Sequence, residues 1–562
     1  MDTTNKHSLP WQLYTNADSP VDSALMDQMR QQGRTPLSTN TSLPRFTLVV
    51  GPTPFSMMRG WEFFLTAPYE GATYIATVLH NAGYPIRIVD VRFERDPLTS
   101  ALNQIKWNTD VLGIATFEDN FPFVRMLIEE MKLFSPNIPI ICGGSLVSSV
   151  PHLFMEHTKV DIAVIGEGEL TILELMASYT KNEWKNGLET VNGIMYRDRE
   201  GGVCRTRPRG QMPDLDSLPR MRLDMWPQYH SPRGIQPQVI SSYSRGCMMD
   251  CSFCFRTTPQ VRLKSPAKLD EDLRWLKEQY NTNFVFFTDL TFAGYKKQTR
   301  EICDVIEQNS LRWTCMGRCV DADRERLDAM RKAGCDIILF GVESLGAEAL
   351  KNAHKPTTRN ISIQAMHRSM EAGIRFGGLL IIGLPGETID DLKVMVQWAE
   401  EFQSVCRVKY LSALPGTSIY RQCLSDGKIR SELDHVNWLS IEQGLHQDEF
   451  LNLNRLPESF VRDIYARIYR CYQPGPVMEF EHFPEDFEYF VPEERDGSRR
   501  NTEYAWEGWR REFSSAGVYP IRGSEAYTLD RTGAQGMASV GSRCVPCGAK
   551  RRAPDSTEAV NF

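Results

Sequence analysis

At 562 residues the chain is too long for one ordinary core, and its length predicts about three domains. Hydrophobic residues at 41% and charged residues at 24% describe a soluble globular protein, and no apolar run of about eighteen residues is present to cross a membrane. A net charge of −7 argues against nucleic acid as the main ligand, the polar start lacks a signal peptide's apolar core, and 14 unevenly spaced cysteines fit a reducing cytoplasm better than a secreted disulfide scaffold.

Residues 1–40 read as a polar extension. Order begins at Phe46–Val50, a buried-strand pattern closed by Gly51 and Pro52. A helical period over Ala72–Ala82, stopped by Gly83, leads to a strand at Ile86–Val91. The next apolar run is Val111–Ala115, ending at Thr116. A helix over Phe121–Phe134, a strand over Ile138–Cys142 and the turn Gly143-Gly144-Ser145 follow. Strand Asp161–Ile165 then ends in Gly166-Glu167-Gly168-Glu169, which opens another helix. This alternation predicts an α/β, doubly wound, Rossmann-like domain over residues 41–185. Such sheets bind ligands at the carboxyl ends of their strands. Those ends carry Thr116, Gly143, Gly144, Ser145, Gly166 and Glu167, and the glycines let a large flat ligand approach the backbone. From the residues alone the ligand is any nucleotide-like cofactor, or none if only the fold is kept.

Residues 186–236 read as a linker, with a small hairpin at Val191–Tyr196 and a Pro- and Arg-rich connector over Pro208–Pro232. From Val239 the alternation resumes. Strands are predicted at Val239–Ser242, Phe284–Thr288, Arg312–Met316, Asp336–Gly341, Gly377–Ile382 and Val408–Ala413. Helices fit between them at Leu269–Tyr280, Lys297–Gln308, Arg324–Ala333, Ile361–Ala372 and Ile389–Phe402. The pattern predicts an open, TIM-like (β/α)6 barrel over residues 237–430, with its chemistry at the carboxyl ends of the strands. Residues 431–562 read as a C-terminal cap and tail, helical up to about Tyr472 and then rich in aromatics and acids. Phe480, Phe483, Phe487, Tyr489, Phe490, Tyr504, Trp506 and Trp509 serve there as packing or as a roof over the site. Cys544 and Cys547 form a CxxC with no second pair to complete a zinc site.

The distinctive stretch is Ser244–Phe255, SRGCMMDCSFCF, which follows the first barrel strand. Its C-x3-C-x2-C spacing can turn the thiolates of Cys247, Cys251 and Cys254 toward one point. Thiolate is a soft ligand, suited to an iron–sulfur cluster. Three ligands leave one corner of a four-iron cube open to a small chelating molecule. The other readings are three buried cysteines that fall close together, or a zinc site; zinc takes four ligands, and no fourth stands nearby.

This loop resembles the signature of radical S-adenosylmethionine (SAM) enzymes, and FFTDLTF, GVES and GLPGET occupy the places where those enzymes contact SAM. The resemblance implies that Cys247, Cys251 and Cys254 ligate a 4Fe-4S cluster whose open iron binds SAM, with Phe253 packed before the last ligand. It further implies Asp289 accepting from the SAM ammonium and Arg318 pairing with its carboxylate. Glu343 and Ser344 would meet the ribose hydroxyls, and Gly383 and Pro385 the adenine. For Asp289 and Glu343 the other reading is an ordinary strand-end carboxylate, and for Arg318 a structural salt bridge.

Over residues 45–180, Pro68–Gly71, Cys142–Gly144 and Gly166–Glu169 look like the cobalamin-binding domain found ahead of many radical SAM domains. The DxHxxG motif of many such domains is missing, since Asp90 is followed by Val91 and Arg92, so no histidine is expected beneath cobalt. The two resemblances together imply a cobalamin-dependent radical SAM methyltransferase: one SAM would remethylate cobalamin and a second would supply a radical. The expected partners are a small-molecule substrate and an external electron donor of flavodoxin or ferredoxin type. Two rivals stay open: a radical cyclase or ring-contracting enzyme with the same cofactors, and a cobalamin-binding sensor or carrier without catalysis.

Overall fold

Phe46–Val50 (β1) is buried along its whole length, as a strand covered on both faces must be. It pairs in parallel with Ile86–Asp90 (β2) on one side and Val111–Ala115 (β3) on the other. Ile140–Gly143 (β4) and Ile162–Val164 (β5) extend the sheet in parallel from β3, giving the order β2-β1-β3-β4-β5. The strand order reverses between β1 and β3, which opens a crevice beyond their carboxyl ends. Helices Glu70–Asn81 and Phe121–Phe134 make crossovers between parallel strands, and helix Glu169–Thr180 follows β5. Asp96 caps a further one, accepting from the Thr99 N–H at 3.0 Å with Pro97 at its first position.

The structure is a computed structural model that describes residues 42–471, apart from 53–66, 231–237, 403–404, 443–449 and positions 93, 95, 107, 185 and 259. The polar start, the aromatic stretch from Met478 and the Cys544/Cys547 pair lie outside the described residues. Among the described residues, no helix is long and apolar enough to cross a membrane.

The hairpin expected within the linker has a different place. Ile194–Arg197 (β6) pairs antiparallel with β5, Val203–Arg205 (β7) pairs with β6, and the first sheet grows to seven strands. The strand–helix alternation stops at Glu169–Thr180, so it gives no sign of an antiparallel edge added afterwards. The connector that follows is anchored too: Trp226 is fully buried, and its indole N–H donates to Thr73 Oγ1 at 2.9 Å. One apolar cluster runs from β1 through Leu215, Leu223 and Trp226 into the second sheet.

That second sheet holds six parallel strands: Ile240–Ser241 (β8), Phe284–Phe287 (β11), Arg312–Arg318 (β12), Cys335–Glu343 (β13), Arg375–Ile382 (β14) and Val405–Tyr410 (β15). Their order, β8-β11-β12-β13-β14-β15, is sequential and unclosed, the partial barrel expected from the alternation. A two-residue antiparallel ladder, Ser244–Arg245 (β9) on Arg262–Leu263 (β10), braces the cysteine loop between β8 and its helix. Ser265 caps that helix, Pro266–Tyr280, by accepting from the Lys268 N–H. Helix Glu458–Cys471 closes the β15 side, where the Tyr410 and Tyr465 rings stack 4.3 Å apart.

Candidate active site and cofactor cleft

The cysteine loop leaves β9 through Gly246, whose φ is +90°. A Cβ there would overlap the Gln260 carbonyl oxygen and lie 2.9 Å from the Thr258 oxygen, so only glycine makes this turn. Arg256 ties the loop together, donating to the Cys247 carbonyl and to Asp250, both at 2.9 Å. The Cys254 N–H closes a turn on the Cys251 carbonyl at 3.1 Å. Backbone bonds from Ser252 to Ala353 and from Ile419 to Ser252 pin the loop across the barrel mouth. Phe253 packs on an apolar cluster that includes Leu384 and Leu411. Burial pushes the Cys251 thiol up and the Cys254 thiol to about 12, the neighbouring thiols adding to it. A metal centre would reverse that preference by displacing the thiol protons to solvent. Among the described residues no three His, Cys, Asp or Glu groups converge on one metal ion. A cube asks for less convergence, since each cysteine serves a different iron.

Several strand-end residues expected to touch SAM are committed elsewhere. Asp289 is 1% exposed, and its carboxylate accepts from the Tyr243 and Ser244 N–H groups and the Ser244 hydroxyl. Burial lifts its pKa to about 7. It fastens the start of the cysteine loop to the end of β11. Arg318 is held by Asp321, with Nε at 2.6 Å and Nη2 at 3.0 Å, which is the structural salt bridge weighed against SAM binding. Ser344 is fully buried, and its hydroxyl donates to Glu387 at 3.1 Å.

Glu343 sits differently. Its φ is +62°, a conformation that non-glycine residues adopt at a cost, beside a register shift between β13 and β14. The Lys355 ammonium holds its carboxylate at 2.8 Å, and both lie close enough to Cys251 and Cys254 to act on them electrostatically. Gly383, at φ +103°, donates its N–H to Glu387 at 2.8 Å, and the Pro385 carbonyl accepts from Asn352 at 3.0 Å. Glu387 also accepts from the Leu384 N–H and from Asn454. It is the buried hub of the turn, its pKa raised to about 7 by burial. Neither Lys355 nor Glu387 was singled out from the sequence. Glu387 stood in plain sight inside GLPGET, whereas nothing local marks Lys355, 12 positions past Glu343.

A cleft of about 590 Å³ lies between the first sheet and the cysteine loop. Leu48, Tyr69, Gly143, Gly144, Ser145, Gly166 and Glu167 line one side, and Ser244, Arg245, Gly246, Thr258 and Leu290 the other. Gly144, at φ +134°, lies flat on the Thr116 carbonyl, which a Cβ would overlap. Thr116 itself is fully buried beneath this wall, not on its surface as expected. Ser145 donates to Glu118 at 2.7 Å, and the Gly166 N–H donates to Ser148 Oγ at 3.1 Å.

Glu167 lines the cleft with its carboxylate turned to Arg262 at 2.7 Å, Arg245 at 3.3 Å and the Met212 N–H at 2.7 Å. Burial works to raise its pKa, but the two guanidiniums outweigh it and hold the carboxyl below its usual range. Its task is to join the two halves of the molecule. Where a DxH motif would put histidine, Arg92 and Asp90 form a buried pair at 2.7 Å under the Tyr69 ring, 4.6 Å from the guanidinium. Among the described residues, no histidine lines the cleft. A glycine wall a side chain would fill, facing apolar surface, fits a broad flat cofactor lying across the strand ends.

A family model described as the Radical SAM superfamily matches residues 241–399, and one described as the B12 binding domain matches residues 65–176. A radical SAM domain works with a 4Fe-4S cluster and SAM, and a B12-binding domain with cobalamin, so these are the cofactors of this chain. An uncharacterized methyltransferase from Pyrococcus horikoshii is 26% identical over 403 residues, covering 70% of this chain and 85% of that protein. The anaerobic magnesium-protoporphyrin IX monomethyl ester cyclase of Rubrivivax gelatinosus is 24% identical, over 60% of this chain and 62% of its own. Among solved structures, the radical SAM methyltransferase TsrM from Kitasatospora setae superposes with a TM-score of 0.57 at 16% identity, over 76% of this chain and 90% of that one. That likeness is one of fold.

Proposed function

We propose that this chain, a member of the cobalamin-dependent radical SAM methyltransferase family, methylates an unactivated centre of a small-molecule or natural-product substrate. The observation that carries this reading is the shared chamber. The glycine wall of the first domain and the residues leading into Cys247 line one and the same cleft. When bound, the cluster with SAM supplies a radical that removes hydrogen from an unreactive carbon, and cobalamin supplies the methyl group.

The chain's own residues bind, orient and exclude. Cys247, Cys251 and Cys254 hold the cluster, with Asp289 and Arg256 fixing the loop that presents them. Glu343, steadied by Lys355, offers its carboxylate beside the cluster cysteines as the group for the SAM ribose or ammonium. Glu387 keeps the Gly383–Leu384 turn in place for the adenine. Gly143, Gly144, Ser145 and Gly166 form the cobalamin cradle, and Leu48, Tyr69 and Leu290 keep water from it. An external donor of flavodoxin or ferredoxin type would reduce the cluster in a reducing cytoplasm.

The test is anaerobic reconstitution with iron, sulfide and hydroxocobalamin, read by absorbance and metal counts. Stoichiometric cobalt beside a cluster band that Cys251→Ala abolishes supports the reading, as does SAM cleavage on reduction. A cluster without cobalt ends the case for methyl transfer through cobalamin. The cyclase among the relatives favours a second reading, a radical ring closure with the same cofactors. Product mass separates them: methylation adds one methylene, and oxidative closure removes hydrogen.

A further inference from the structure

Arg245 comes two residues before the first cluster cysteine, yet its guanidinium is buried among carboxylates of the other domain. Nη2 donates to Glu169 at 2.6 Å, Nη1 to Glu167 at 3.3 Å, and the Tyr74 ring lies 5.0 Å from its centre. Its ladder partner Arg262 donates to both oxygens of Glu167, at 2.7 and 2.9 Å. Glu167 stands between Gly166 and Gly168, which both line the cleft. On the other side, Gly246 is sealed against the Gln260 carbonyl, which leaves little slack between Arg245 and Cys247. A guanidinium cannot shed its charge, so once buried it must keep its carboxylates. The position of the glycine turn and that of the cysteine loop are therefore not independent.

We propose that Arg245 is a positioning residue that couples the two cofactor sites, so that cobalamin binding and cluster assembly each favour the other. The inference rests on reading the cleft as the cobalamin site. Ordering the Gly166–Glu169 turn orders Glu167 and Glu169, which fix Arg245 and with it the entry to Cys247. The same chain of contacts runs in reverse, and the coupling is equal in both directions. A bridge that only held the domains together would weaken both sites when cut without changing their dependence on each other.

The experiment measures hydroxocobalamin affinity of the full-length protein, anaerobically, before and after cluster reconstitution. Wild type is expected to bind about tenfold more tightly with the cluster in place, within the usual range for coupled sites. Arg245→Lys keeps the charge but cannot span both carboxylates, and Glu169→Gln removes one of them. In each the ratio should fall to within about twofold of unity, with the circular dichroism of wild type retained. Glu174→Gln, which loosens an ion pair to Arg209 elsewhere in the first domain, should leave the ratio unchanged. Reciprocally, hydroxocobalamin should slow chelator removal of iron from wild type and not from the Arg245 or Glu169 variants. If Arg245→Lys does not fold, Glu169→Gln decides. A folded variant with the wild-type ratio, or a wild-type ratio of one, overturns the coupling. Wild type that binds no hydroxocobalamin in either form overturns instead the assignment of the cleft.

Discussion

Replacing Gly144 with alanine tests the cofactor wall directly. The backbone there has φ +134° and ψ −171°, a region open essentially to glycine, and holding another residue in it costs about 1–3 kcal/mol. The added Cβ would also overlap the Thr116 carbonyl oxygen and lie 3.0 Å from its carbon. Both are backbone atoms just past the last β3–β4 pair, where the Thr116 N–H donates to the Gly143 carbonyl at 2.8 Å, so the strand ends must part to admit it, and overpacking of this kind costs about 1–3 kcal/mol more. Gly144→Ala should therefore lose about 2–6 kcal/mol of stability, along with most of its hydroxocobalamin binding. Gly71 lines the same cleft from the first turn of helix Glu70–Asn81, and a Cβ there meets nothing within 4 Å. Gly71→Ala should stay within about 1 kcal/mol of wild type, on the stabilising side. Anaerobic urea denaturation followed by circular dichroism reads stability, and an absorbance titration reads cobalamin. If Gly144→Ala comes within about 0.5 kcal/mol of wild type and binds hydroxocobalamin normally, the cradle argument is wrong.

Three further predictions follow from buried groups. The Glu387 carboxyl titrates near 7 in the fold and at its ordinary 4.5 when unfolded, so the folded state binds the extra proton between those values. The stability this group contributes is full below pH 4.5 and is lost as pH rises toward 7, by at most about 1.4 kcal/mol per pH unit; Glu387→Gln should reduce the slope of melts taken from pH 5 to pH 8, to which Asp289 also contributes, and an unchanged slope counts against burial as the cause. Lys355→Met leaves the Glu343 carboxylate buried without its partner and should cost about 3–5 kcal/mol, with Glu343→Gln in the same chain restoring part; a double-mutant cycle showing no interaction energy would refute the pairing. Cys251→Ala should lose the cluster absorbance and still reach stoichiometric cobalt at saturating hydroxocobalamin, because the cleft's glycine wall belongs to the first domain, but with about tenfold weaker affinity, as the coupling through Arg245 requires; wild-type affinity in this variant would count against the coupling.

Local patterns were readable where the chemistry is local. The burial of β1, the helix over Phe121–Phe134 and the two runs of alternating strands and helices follow from side-chain periodicity alone. The three cysteines, the strand-end glycines and the GLPGET turn are contiguous stretches whose spacing carries the meaning. Even the fate of Arg318 had a local sign, because Asp321 lies three residues on and pairs with it.

What the chain could not show is which charged groups consume one another once sheets and domains dock. Asp289 reads as a free strand-end carboxylate until β8 pairs beside β11 and turns the Tyr243 and Ser244 N–H groups onto it. Ser344 is taken by Glu387 from 43 positions away, and Glu167 by Arg245 and Arg262 from 78 and 95. The amino-acid sequence by itself determined the two kinds of domain and the gathering of three cysteines in one loop, because periodicity and close spacing are short-range properties. Only the tertiary structure decided which carboxylates are paired within a domain and which clamp the two domains together, because a buried charge is assigned by the partners that folding brings within about 3 Å of it.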